Sequence, residues 1–205
     1  MNSVRVDQTA KSPAAAKPAA SEELIDLDFT GVFKLKDLKP DPPPPPPKKV
    51  PQDILIGAQE LSKGNCYINM SRRRPARTFD IKKTTILIVE DNTTTQYLLH
   101  MLLSRAGYLT RRAGSAAEFI AAMQKAPLPD LLILDIQLKD NVSGFKILAK
   151  IRAHPKIGKL PVIILSGQTA PEDLMQGVSL GVDAYLSKPA KAVALMDAVK
   201  AALGG

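Results

Sequence analysis

Ile86-Leu87-Ile88-Val89-Glu90-Asp91-Asn92 is an apolar run that ends abruptly in two acids. Leu131-Leu132-Ile133-Leu134 runs likewise into Asp135, and Val162-Ile163-Ile164-Leu165 into Ser166. Continuous apolar runs, rather than alternating ones, suit strands buried on both faces of a parallel sheet. Helical periods fall between them. Leu98, Leu99, Leu102 and Leu103 share a face, as do Ala116, Phe119, Ile120 and Met123, and Phe145, Leu148 and Ile151. Weaker strands around Tyr108–Arg112 and Asp183–Leu186 bring the total to five, and a last helix carries Val193, Met196, Val199 and Leu203. This alternation predicts an α/β domain over residues 84–205, with a five-stranded, doubly wound parallel sheet.

In such sheets ligands sit outside the carboxyl ends of the strands. The informative residues fall there: Glu90-Asp91, Asp135, Ser166 and Lys188-Pro189. With the first and third strands adjacent, three carboxylates converge. Two carboxylates about 4 Å apart repel by roughly 4 kcal/mol at an effective dielectric of about 20. A cation among them, or raised pKa values, makes such a cluster tolerable. An all-oxygen ligand set with open positions favours Mg²⁺. Taken singly, Ser166 reads as a helix cap, Tyr185 as a strand aromatic and Lys188 as a solvated charge; position gives them weight. His100 and His154 have no ligand partner at useful spacing and read as structural or surface residues.

Ile-Leu-Ile-Val-Glu90-Asp91-Asn92, Leu-Ile-Leu-Asp135-Ile, Val-Ile-Ile-Leu-Ser166-Gly167 and Ala184-Tyr185-Leu-Ser-Lys188-Pro189, in this order, resemble a response-regulator receiver domain of the chemotaxis-regulator type. The resemblance covers residues 84–205 and implies a flavodoxin-like fold. It implies that Asp135 accepts a phosphoryl group. Mg²⁺ would be held by Glu90, Asp91, Asp135 and the backbone carbonyl of Gln137. Lys188 would contact the phosphoryl oxygens, and Ser166 and Tyr185 would be the switch residues. The implied partner is a sensor histidine kinase or a histidine phosphotransfer protein, with an unknown protein target. The domain would catalyse only its own phosphorylation and dephosphorylation. One departure stands out: the family's glycine eight residues past the acceptor is here Gly144, at plus nine, and Lys139 replaces a proline at plus four. The loop is expected to be one residue longer, which bears on phosphoryl loss and not on the acceptor.

Residues 1–83 differ in character. Ala and Pro dominate residues 10–20, and Pro42 to Pro47 are consecutive, which suits a polyproline spacer. Ile25, Leu27, Phe29, Phe33 and Leu35 alternate with charged residues, a strand signature that predicts a short hairpin over 24–36. Residues 53–70 give no clear assignment. Arg72-Arg73-Arg74 and Arg77 form a basic cluster read as a solvated linker. This region is therefore expected to be a largely disordered, flexible arm, with the hairpin region docking on the receiver or a shared partner.

The chain's 205 residues are 45% hydrophobic and 23% charged, with net charge +8. Residues 1–83 carry 15 basic and 10 acidic residues, and residues 84–205 carry 13 and 10. The excess charge thus sits mostly on the arm, and nucleic acid is not the expected partner. Cys66 is the only cysteine, so neither an internal disulfide nor a Cys-built zinc site is available. No signal peptide or membrane-length apolar run is present, so a soluble, cytoplasmic protein without membrane association is expected. No output domain is expected after Leu203. Signalling would then use protein–protein contact through the last two helices or the arm. Two other functions fit the same residues: a phosphorelay intermediate or phosphate sink, and a scaffold or nucleic-acid-binding protein acting through its basic arm.

Overall fold

The three apolar runs form the centre of one sheet. A computed structural model describes residues 50–72, 75, 78–139 and 142–205. The hairpin expected at 24–36, the proline run and Arg73, Arg74 and Arg77 lie outside the described residues. The first described elements are helix α1 (Gln52–Ser62) and strand β1 (Cys66–Ile68). Then come β2 (Thr85–Val89), α2 (Thr93–Arg105), β3 (Leu109–Ala113), α3 (Ala116–Met123) and β4 (Leu131–Asp135). A two-stranded hairpin, β5 (Gln137–Leu138) with β6 (Val142–Ser143), leads into α4 (Gly144–Ala153). The chain closes with β7 (Val162–Ser166), α5 (Pro171–Ser179), β8 (Ala184–Ser187) and α6 (Ala192–Leu203).

The sheet order is β1-β8-β7-β4-β2-β3. Five strands run parallel, as the pattern predicts, and β2 lies between β3 and β4. The strand order reverses beside β2, so the crevice opens where Val89 and Asp135 end their strands. Every residue of β2, β4, β7 and β8 is buried. Alternate side chains feed two cores. Leu87 and Val89 pack with α3 and α4, while Ile86 and Ile88 pack with α2 and α6.

The sheet also departs from expectation. A sixth strand, β1, pairs antiparallel with β8 along Cys66↔Leu186, Tyr67↔Tyr185 and Ile68↔Ala184. It covers what would be an open edge of unpaired peptide groups. Helix α1 buries Ile54, Ala58 and Leu61 in the core shared with α3, α4 and Tyr185. Folded structure thus begins upstream of residue 84. Arg72, read as part of a solvated linker, instead lies 3.4 Å from the buried carboxylate of Asp183.

Two helical faces hold as expected but for one residue each. In α6 the inward stripe includes the expected Val199 and Leu203 together with Leu195, Ala194, Ala198 and Ala202, whereas Val193 is 74% exposed. Alanines let α6 lie close to the sheet, and they turn the larger Val193 outward. In α2, Leu99 and Leu103 are buried while Leu98 is 43% exposed. Helices α2 and α3 start at side-chain caps. Asn92 Oδ1 accepts from Thr95 N at 3.0 Å. Ser115 Oγ accepts from Glu118 N, while Glu118 Oε2 accepts from Gly114 N at 2.7 Å, one residue before the cap. His100 Nδ1 lies 2.6 Å from Thr110 Oγ1, and buried His154 accepts from Lys156 N.

Candidate functional site

Strand β2 delivers Glu90 and Asp91 immediately past its last residue, and β4 ends in Asp135. Because β2 and β4 are neighbours in register, with Val89 opposite Leu134, the three acids meet. One carboxylate oxygen from each lies within 4.8 Å of the others. Glu90 and Asp135 are buried and Asp91 is half-buried. Strand β8 ends beside them and places Lys188 in the cluster. Its Nζ donates to Asp135 Oδ2 at 2.7 Å, and the same nitrogen lies 2.7 Å from Glu90 Oε2.

The remaining carboxylate oxygens use the backbone. Asn92 N donates to Glu90 Oε1 at 3.1 Å, and Gln137 N donates to Asp135 Oδ1 at 3.2 Å. Glu90 Oε2 is ion-paired with Lys188 Nζ, which it shares with Asp135 Oδ2. One ammonium thus serves two buried carboxylates, and Glu90 faces two other acids. Burial pushes the Glu90 carboxyl above the ordinary range; Lys188 opposes this, and the neighbouring Asp135 charge adds to it. Burial likewise raises Asp135, against the hydrogen bond and charge of Lys188. For Lys188, burial alone would lower the ammonium pKa, but the Asp135 and Glu90 carboxylates outweigh it and raise it. The donor chemistry fits a hard divalent cation: three convergent carboxylates against a single ammonium, and no nitrogen or sulfur ligand among them.

Ser166, at the end of β7, is buried, and its Oγ accepts from Gln168 N at 2.9 Å. Its carbonyl accepts from Lys188 N at 2.8 Å, which ties the ends of β7 and β8 together. Tyr185 is fully buried, and its hydroxyl donates to Gln168 O at 3.3 Å. Burial raises the Tyr185 hydroxyl's pKa, so it stays a donor. The structure therefore brings Glu90, Asp91, Asp135 and Lys188 together directly. Ser166 and Tyr185 join through the loop at Gln168, and Gln137 joins through its backbone.

Three contributors were not singled out for their part in the site. Gln96, on α2, donates to Glu90 O at 2.9 Å and holds the acidic loop. Gln168 links Ser166 to Tyr185. Gly144 starts α4 directly against Asp135, where any Cβ would fall 2.1 Å from the Asp135 carbonyl oxygen. Gly144 N also donates to Ile136 O at 2.8 Å. The loop after Asp135 contains the β5–β6 pairing, and Gly144 lies under the acid at its plus-nine position. Only the spacing of Gly144 hinted at this.

Residues 86–200 match the family described as the response regulator receiver domain. Over 119 residues the chain is 35% identical to the transcriptional regulatory protein GltR of Pseudomonas aeruginosa, covering 58% of this chain and 48% of that protein. It is 34% identical over 118 residues to the phosphate regulon transcriptional regulatory protein PhoB of Rhizobium meliloti, covering 58% of this chain and 51% of that protein. The chain spans about half the length of these curated relatives. Among solved structures, a putative response regulator from Chloroflexus aurantiacus superposes with a TM-score of 0.56 at 34% identity, over 60% of this chain and 98% of that one. A CheY-like receiver domain protein from Methanospirillum hungatei gives 0.53 at 28% identity, over 58% and 93%. Among the described residues, no helix is long and apolar enough to cross a membrane.

Proposed function

The chain belongs to the response regulator receiver family, and from that premise we propose that it is a phosphorylatable switch of a two-component pathway with Asp135 as the acceptor. The observation that carries the reading is the contact of Lys188 with both Asp135 and Glu90 at 2.7 Å, inside a cluster of three carboxylates at the strand ends.

In this reading a carboxylate oxygen of Asp135 attacks phosphorus on a phosphohistidine of a sensor kinase or phosphotransfer protein. The new O–P bond forms as the P–N bond breaks, and the electron pair leaves on the imidazole nitrogen. Burial makes the Asp135 carboxylate more basic, and Lys188 favours its ionised form. Glu90, Asp91, Asp135 and the Gln137 carbonyl would hold Mg²⁺. When bound, that ion offsets the negative charge of the phosphoryl oxygens. Lys188 is placed to pair with a phosphoryl oxygen as a point charge. The Ser166 hydroxyl, held by Gln168 N, would turn toward the phosphoryl group and carry the loop at Gln168 with it. Tyr185 is tied to that loop through its hydroxyl, so loading is felt on β8. Output is then a phosphorylation-dependent protein–protein contact. Attack of water on the acyl phosphate resets the switch.

The test is incubation with beryllofluoride and Mg²⁺, or with acetyl phosphate. The native protein should be occupied or labelled at Asp135, and Asp135→Asn should be neither while keeping its fold. Equal labelling of both proteins overturns the assignment.

A further inference from the structure

Strand β8 is the structural link between Tyr185 and Lys188, and residues 54–72 follow it along nearly its whole length. Asn69 N donates to Asp183 O at 3.0 Å and Asn69 Nδ2 to Val182 O at 2.9 Å. Arg72 pairs with the Asp183 carboxylate at 3.4 Å. At the other end Lys191 Nζ donates to Lys63 O. Between these anchors β1 lies in ladder register, with Tyr67 directly opposite Tyr185. Directly opposed residues project on the same face with Cβ atoms about 4.5–5.5 Å apart. Tyr67 therefore stands on the outer flank of Tyr185, and it packs against the core to which Tyr185 belongs.

Helix α1 closes the remaining space. Ile54, Ala58 and Leu61 pack into that core, and α1 approaches so closely that a Cβ on Gly57 would fall 2.4 Å from Tyr67 Cδ2 and 2.9 Å from Leu174 Cδ2. From the other side a Cβ on Gly177 would lie 3.4 Å from the Tyr185 ring. The buried ring thus has α5 on one flank and Tyr67, backed by α1, on another. Packed interiors shift between discrete arrangements and do not deform continuously. The docked segment and the buried ring consequently belong to one state.

We propose that residues 52–72 are a built-in clamp on β8, docked according to the position of Tyr185, so that phosphoryl loading at Asp135 and docking of this segment are reciprocally coupled. The inference rests on Asp135 being the acceptor. It adds that the response is delivered to the N-terminal side of the chain, and that this segment in turn biases loading.

Cys66, on β1, is the chain's only cysteine and is partly buried against the second core, so its alkylation rate reports undocking of β1 in the unmodified full chain. Iodoacetamide labelling of native protein is measured with Mg²⁺ alone and with Mg²⁺ plus beryllofluoride, with occupancy followed separately by fluorine NMR. The rate should change by about 5-fold or more, the lower end of typical coupling between sites. Amide exchange over residues 54–68 should change in the same sense. By reciprocity, Gly57→Ala, which pushes on Tyr67, should shift beryllofluoride affinity. Normal occupancy with an unchanged Cys66 rate and unchanged exchange overturns the clamp and leaves the acceptor assignment standing. Failure of beryllofluoride to bind the native protein overturns both.

Discussion

Gly144→Ala isolates the geometry of the acceptor from its chemistry. The new methyl would fall 2.1 Å from the Asp135 carbonyl oxygen, 3.0 Å from the Asp135 carbonyl carbon and 3.0 Å from Ile136 Cα. All three are backbone atoms, so no flexible side chain can move aside. Ordinary carbon contacts lie at about 3.5–4.0 Å, so relief requires a backbone shift of more than an ångström. Overpacking of this kind costs about 1–3 kcal/mol. Either α4 recedes or Asp135 moves, and moving Asp135 disturbs its pairing with Lys188. A misplacement of about 1 Å at a reacting group can cost about 100-fold in rate. Gly167→Ala is the matched control, because a Cβ there meets nothing within 4 Å although the residue adjoins Ser166. Urea unfolding and phosphorylation by acetyl phosphate would be measured for both. Gly144→Ala should lose about 1–3 kcal/mol and most of its phosphorylation rate, while Gly167→Ala should stay within about 0.5 kcal/mol of native. A Gly144→Ala protein with native stability and native rate would refute the argument that Gly144 seats the acceptor.

Mg²⁺ should stabilise the native chain by about 1.4 kcal/mol at roughly ten times its Kd, read as a rise in melting temperature, and should do less for Asp91→Ala; no rise in the native protein counts against the metal site. Because burial raises Glu90 and Asp135, these acids bind more protons folded than unfolded above their unfolded values of about 4. Their stabilising contribution is therefore fully present below about pH 4 and is lost as pH rises through the folded values. Without divalent cations, native protein should lose stability toward neutral pH relative to Glu90→Gln; parallel urea midpoints across that range would contradict this. Asp183→Ala removes the acceptor that pairs with Arg152 at 2.8 Å and receives Val162 N at 2.9 Å. It should cost about 3–5 kcal/mol, whereas Arg72→Ala, at 3.4 Å and partly exposed, should cost under about 1 kcal/mol; similar losses from both would show that burial does not set the difference.

What the sequence made legible follows from burial. Strands β2, β4 and β7 read clearly because both faces are covered and every position must be apolar. Their carboxyl ends were therefore placed closely enough to bring Glu90, Asp91, Asp135 and Ser166 to one crevice. Strand β1 did not read. Its three residues are only partly buried, and its partner is the edge of β8, more than a hundred residues away. Helix α1 carries Ile54, Ala58 and Leu61 at helical spacing, but exposed Leu55 and Ile56 and the intervening Gly57 blur that stripe. On α6 Val199 and Leu203 read correctly, but Val193 did not, because alanines carry much of the inward stripe and small residues give a weak hydrophobic signal. Tyr67 and Gly144 escaped for a different reason: each matters through what it touches, which no local pattern encodes.

The loop after Asp135 shows why that distinction bears on function. One end is fixed where Gly144 N meets Ile136 O and α4 begins against Asp135. The other is fixed where Gln137 N meets Asp135 Oδ1. Between those ties the chain forms the β5–β6 pairing of Gln137↔Ser143 and Leu138↔Val142, with Leu138 and Val142 buried in the core. A change in length between these ties, as expected from the plus-nine position of Gly144, would fall between the anchors that hold the acid. A change confined there leaves the carboxylate, its Lys188 partner and the acidic pair where the strands put them. In the proposed switch it would act instead on how water approaches the acyl phosphate. In that switch the sheet would thus set the acceptor chemistry, and the loop after Asp135 would bear on the lifetime of the phosphorylated state.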